Sequence, residues 1–136
     1  MSGPSGDKIL VTGALGQIGT ELVEALRRHH GSSFVIASDL RPVEQVDLSQ
    51  GPYRTLDVLD TEAIIDVCKK EGVGTVYHLA ALLSATGEKN PELCRKVNVG
   101  GTISVLEAAR VCSMRVFTPS SIAVYGPDAP KPVSYT

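Results

Sequence analysis

The sequence predicts an α/β domain, a doubly wound parallel sheet of strand order 3-2-1-4-5 with helices on both faces. Three observations predict it. Strand-like and helix-like apolar periods alternate along nearly the whole chain. The strand runs are apolar at successive positions, as strands buried on both faces must be. The first run passes directly into a glycine-spaced loop and a helix, and right-handed crossovers from that start give this order.

The elements follow in turn. "KILVT" (8–12) is a short apolar run ending at a glycine. From Gln17 to about His30, Ile18, Leu22, Ala25 and Leu26 fall at helical spacing, with Arg27 to His30 where the helix dipole favours cations. "FVIAS" (34–38) is the second strand and "YRTL" (53–56) a weaker third. Thr61–Glu71 carries Ile64, Val67 and Cys68 on one face, after Asp60 as a capping residue. "TVYHLA" (75–80) and "RVFTP" (115–119) are the fourth and fifth strands.

Between these last two runs a long helix, 91–113, is expected from Pro91, a residue suited to a first turn. It carries two apolar stripes: Val97, Gly101, Val105 and Ala108 on one, Val99, Ile103 and Leu106 on the other. A helix lying on a sheet needs one such face. The second predicts either a partner subunit, hence a homodimer, or covering loops.

The domain is expected over 8–126, after a flexible leader at 1–7 and before a proline-rich loop at 127–136. At 136 residues, 43% of them hydrophobic and 21% charged, the chain suits one globular domain with a real core. Its net charge of -2 gives no basis for binding nucleic acid or an acidic membrane. No apolar run approaches the roughly 20 residues of a membrane helix. The isolated Cys68, Cys94 and Cys112 suggest a reducing compartment, and neither they nor His29, His30 and His78 show metal-ligand spacing. The leader has no secretory or transit character, so the cytoplasm or the mitochondrial matrix is expected and secretion is not.

The chemistry concentrates in "VTGALGQIG", where Gly13, Gly16 and Gly19 are spaced by three between strand and helix. The first glycine permits a tight turn, the second lets a pyrophosphate approach the backbone, and the third lets the helix lie close to the sheet. The amides of Gln17 and Ile18 then face the phosphates from the positive end of the helix. With an acid at the end of the second strand, this spacing becomes a Rossmann-like dinucleotide motif. That acid is Asp39 in "SDLR", followed by Leu40 and Arg41. Its carboxylate suits the adenosine ribose hydroxyls and repels a 2′-phosphate, which favours NAD over NADP, whereas Arg41 is a residue that can hold such a phosphate. Asp57 in "TLDVLD" is placed for the adenine amino group, or as a helix cap.

In order, "TGALGQIG", "SDLR", "LDVLD", "HLAA", "VNVGGT" and "SSIAVYG" resemble the extended short-chain dehydrogenases/reductases. More narrowly, "HLAALLSATGEKNPEL" and "PSSIAVYGPD" are similar to the short-chain type of L-threonine 3-dehydrogenase. The resemblance implies a pyrophosphate loop of Gly13, Gly16, Gln17, Ile18 and Gly19, with Asp39 on the ribose and Asp57 with Val58 at the adenine edge. It implies Leu79, Ala80 and Ala81 along the cofactor and Asn98 beside it. Ser84 matches the position that anchors the substrate, and Ser121 the serine that hydrogen-bonds the reacting hydroxyl, which would make it the one catalytic residue of this chain. Oxidation of L-threonine by NAD to 2-amino-3-oxobutanoate is the implied reaction. Related alternatives are a sugar-nucleotide epimerase or dehydratase and a non-catalytic NAD-binding module.

The family's base is the tyrosine of a Tyr-x-x-x-Lys pair. No tyrosine in this sequence is followed by lysine at that spacing: Tyr125 lacks one, and Tyr135 stands at the end. The expectation is therefore a cofactor-binding portion, inactive alone, without the family's later strands and substrate region.

Overall fold

A computed structural model describes residues 6–121 and 125–126. They form a five-stranded parallel sheet of order β3-β2-β1-β4-β5. The strands are β1 (Lys8–Thr12), β2 (Val35–Asp39), β3 (Tyr53–Thr55), β4 (Val73–His78) and β5 (Arg115–Phe117). The helices are α1 (Gln17–His30), α2 (Thr61–Glu71), α3 (Ser84–Lys89), α4 (Pro91–Arg95) and α5 (Gly101–Cys112), with a π-helical segment, Lys96–Gly100, joining the last two.

The central strand shows why both faces are apolar. Leu10 pairs with Ile36 on one side and Val76 on the other. It points into a core with Ile64, Cys68, Val105 and Ala108, contributed by α2 and α5. Its neighbours Ile9 and Val11 point the opposite way, into a second core with Val35, Ala37, Tyr53 and Val23 of α1. Each residue from Ile9 to Val11 thus has a buried destination, as a continuous apolar run requires.

Helix termini follow local chemistry. Asp60 accepts a hydrogen bond from the Ala63 amide and starts α2, which Gly72 ends in the left-handed region. Asn90 caps α4 through the Leu93 amide, with Pro91 in its first turn. Glu71, at the end of α2, bridges Lys8 of β1 and Arg54 of β3. Burial would raise its carboxyl, but the hydrogen bonds and charge of Arg54 and Lys8 outweigh that and hold it below the ordinary carboxylate range.

Some boundaries and faces differ from expectation. β2 starts one residue later than "FVIAS" and β4 two residues earlier than "TVYHLA", so the positions after His78 leave the sheet and become a loop. In α1 the buried positions are Gly19 and Val23, while Ile18 and Ala25 face outward. The helix expected at 91–113 runs from Pro91 to Cys112 with a π segment inserted in it, and α3 occupies a stretch too polar to read as a helix. The leader expected at 1–7 and the loop at 127–136 lie almost entirely outside the described residues.

Candidate cofactor site

At the C-terminal edge of the sheet lies a cavity of about 550 Å³. Its floor is the Gly13–Gly19 loop, and its walls are the ends of β2 and β4 and the loop after β3. Gly13, Gly16, Gln17, Ile18, Gly19, Asp39, Leu40, Asp57, Val58, Leu79, Ala80 and Ala81 all line it, so twelve residues picked out from sequence are brought together.

The glycines are there for space. Gly13 has φ +66°, and a Cβ on it would lie 2.6 Å from the Ala80 nitrogen. A Cβ on Gly19 would overlap the Gly13 carbonyl oxygen. Any side chain at either position forces the loop away from β4 or α1 away from the loop. Gly16 is exposed and starts α1 with no side-chain cap, which leaves the first amides of the helix open toward the cavity. The exposed side chain of Ile18 is at the same rim.

Asp39 is half-buried and held in place from two sides. Its Oδ2 accepts from the Leu15 amide at 3.1 Å and its Oδ1 from the Leu40 amide at 2.8 Å. The Tyr53 hydroxyl donates to the carbonyls of Asp39 and Arg41, fixing the chain as it leaves β2. Burial raises that phenol, so it remains a donor. The carboxylate keeps further lone pairs for a ligand's hydroxyls.

The remaining predicted residues fall elsewhere. Arg41 lines a second cavity of about 580 Å³, between α1 and the β2–β3 connection. Asn98 lies in the π segment and clamps Leu82: its Oδ1 accepts from the Leu82 amide at 2.7 Å, and its Nδ2 donates to the Leu82 carbonyl at 3.0 Å. It shapes the wall without lining the cavity. Ser84 opens α3 instead of lying in a loop. Ser121 is exposed and does not line the cavity, whose lining includes Pro119 two residues earlier. Sequence reasoning missed Leu56, Leu59, Leu82, Leu83 and Val97, which line the cavity with apolar surface. The signal for the four leucines was proximity to the ends of β3 and β4, whereas Val97 comes from the π segment and had none. Among the described residues no cluster of His, Cys, Asp or Glu is placed to hold a metal, and no helix is long and apolar enough to cross a membrane.

A sequence profile of the NAD dependent epimerase/dehydratase family matches residues 9–136. An uncharacterized epimerase/dehydratase of Staphylococcus haemolyticus is 46% identical over 126 residues, covering 92% of this chain and 40% of the relative. Among solved structures, a monomeric L-threonine 3-dehydrogenase from a metagenome database is 50% identical with a TM-score of 0.83, over 90% of this chain and 39% of that one. A GalE-like L-threonine dehydrogenase from Cupriavidus necator, in its holo form, is 43% identical with a TM-score of 0.83, over 89% and 39%. The chain thus spans about two fifths of the length of the relatives it matches.

Proposed function

Because the chain belongs to the NAD dependent epimerase/dehydratase family, we propose that it binds NAD in the glycine-loop cavity and is the cofactor-binding portion of an L-threonine 3-dehydrogenase. One observation carries the reading. The glycine loop, the Asp39 carboxylate and the Leu79–Ala81 strand end line a single cavity of dinucleotide size. Gly13 and Gly19 supply the close backbone approach, and the open amides at the start of α1 supply donors for a pyrophosphate. Asp39, oriented by two main-chain amides, receives the ribose hydroxyls. Arg41 is turned to the other cavity, which leaves a 2′-phosphate facing the carboxylate and favours NAD over NADP.

NAD, when bound, supplies a hydride acceptor. This chain's residues would bind and orient it: Asp57 and Val58 beside the adenine, Leu79, Ala80 and Ala81 along the dinucleotide, and Asn98 holding the Leu82 wall. Ser84 would anchor the amino acid and Ser121 would hydrogen-bond the hydroxyl to be oxidised. The proton acceptor would come from outside these residues, since no Tyr-x-x-x-Lys is among them.

Replacing Asp39 with asparagine tests the ribose assignment by calorimetry. Loss of a charged acceptor, worth about 1.5–3 kcal/mol, lowers NAD affinity roughly 10- to 100-fold. The Asp60→Asn control, at the cap of α2, leaves it unchanged; equal losses overturn the assignment. The family name favours a second reading, a sugar-nucleotide epimerase or dehydratase. Turnover of L-threonine against a panel of UDP- and GDP-sugars by the longer protein separates the two, and NAD binding without NADH formation by this chain marks it as non-catalytic alone.

A further inference from the structure

Behind the cavity floor, two buried polar side chains join the ends of β1 and β4. Thr12 is 1% and His78 3% exposed, and Thr12 Oγ1 lies 2.8 Å from His78 Nδ1. The Ala80 amide donates to the same Thr12 oxygen at a long 3.4 Å, and the Leu79 amide to the Thr12 carbonyl at 3.2 Å. Gly13, directly after Thr12, has room for no side chain because Leu79 and Ala80 press against it. The glycine loop and the strand end that line the cavity therefore meet at this one junction.

The proton count assigns a direction. Thr12 Oγ1 already accepts from Ala80, and His78 Nδ1, 2.8 Å away, is within reach of its own hydroxyl proton. With that proton directed at Nδ1, the ring nitrogen is the acceptor and the imidazole is the neutral tautomer that carries its proton on Nε2. Were Nδ1 the donor, two N–H groups would converge on the oxygen and the hydroxyl proton would lose its acceptor.

We propose that His78 is a positioning residue for the cofactor cavity: as an acceptor it orients the Thr12 hydroxyl, which holds the Leu79–Ala81 strand end against the Gly13 turn. The placement of the junction beneath a cofactor rests on the NAD reading above; the junction itself does not. Thr12 faces the ring from β1, and Gly101 of α5 lies close by: a Cβ added there would be 3.7 Å from His78 Cε1. Burial lowers the ring's affinity for a proton. Protonation reverses Nδ1 from acceptor to donor, so the junction weakens as pH falls below the ordinary histidine range.

The test compares the intact chain with His78→Asn, His78→Leu and Thr12→Val, reading NAD affinity by calorimetry and protection of the Ala80 amide by hydrogen exchange. Asparagine places an acceptor oxygen on the same Cγ and cannot titrate. The expected result is affinity and protection kept in His78→Asn, and both lowered, affinity roughly fivefold, in His78→Leu and Thr12→Val. Between about pH 7.5 and about pH 5.5 the wild type loses Ala80 protection and His78→Asn does not. Unchanged affinity and protection in His78→Leu overturn the proposal, as does an equal acid loss in His78→Asn. Should His78→Leu not fold, Thr12→Val decides by the same two readouts. Should the wild type bind no NAD, the cofactor reading falls, and Ala80 protection alone decides the role of His78.

Discussion

At Gly19 the difference between a glycine and an alanine is whether α1 can lie on the loop at all, since the added carbon would overlap the Gly13 carbonyl. Gly19→Ala is expected to destabilise the chain by about 1–3 kcal/mol, as overpacking of backbone does, measured by urea unfolding. An unchanged midpoint would show that the loop yields. This residue was legible from spacing alone, because the steric demand of a strand–loop–helix junction is local. Asp39 was legible as the acid that closes the second strand, and the structure places it on the cavity wall. The roles of Thr12 and Asn98 were not, because each depends on a partner 68 or 16 positions away that only the fold brings near.

At the scale of the element, the segment from Pro91 to Cys112 departs most from its sequence pattern. Its apolar stripe gave a helix, but the period cannot show a π segment that adds one residue to a turn. That segment carries Asn98, whose amide meets both main-chain groups of Leu82. Asn98→Ala leaves those groups without their partner and is expected to cost about 1–3 kcal/mol in stability. It is also expected to weaken NAD binding through the displaced Leu82 wall. Stability lost with affinity kept would make the clamp structural only. The frame of β4 was misread for a related reason: "HLAA" continues the apolar run, yet the sheet stops at His78 and the next residues line the cavity.

At the scale of the molecule, α1 covers one face of the sheet while α2 and α5 cover the other, as the alternating periods predicted. What composition could not decide is the use of the second stripe on the long helix. Val99, Ile103 and Leu106 are 54%, 60% and 50% exposed, so no described loop covers them. The compared metagenomic dehydrogenase is monomeric, so this likeness brings no dimer with it. An exposed position predicts that Ile103→Glu shifts folding stability by no more than about 0.5 kcal/mol. A larger loss would mean that the stripe is covered in solution.

Loop, acid and strand end together are proposed to make a working NAD site. Its most direct measurement is a calorimetric titration of NAD into the chain, with Asp39→Asn in parallel. Saturable binding of one NAD per chain, weakened roughly 10- to 100-fold in the variant, is the predicted result. No saturable binding, or equal affinity in both proteins, would contradict it.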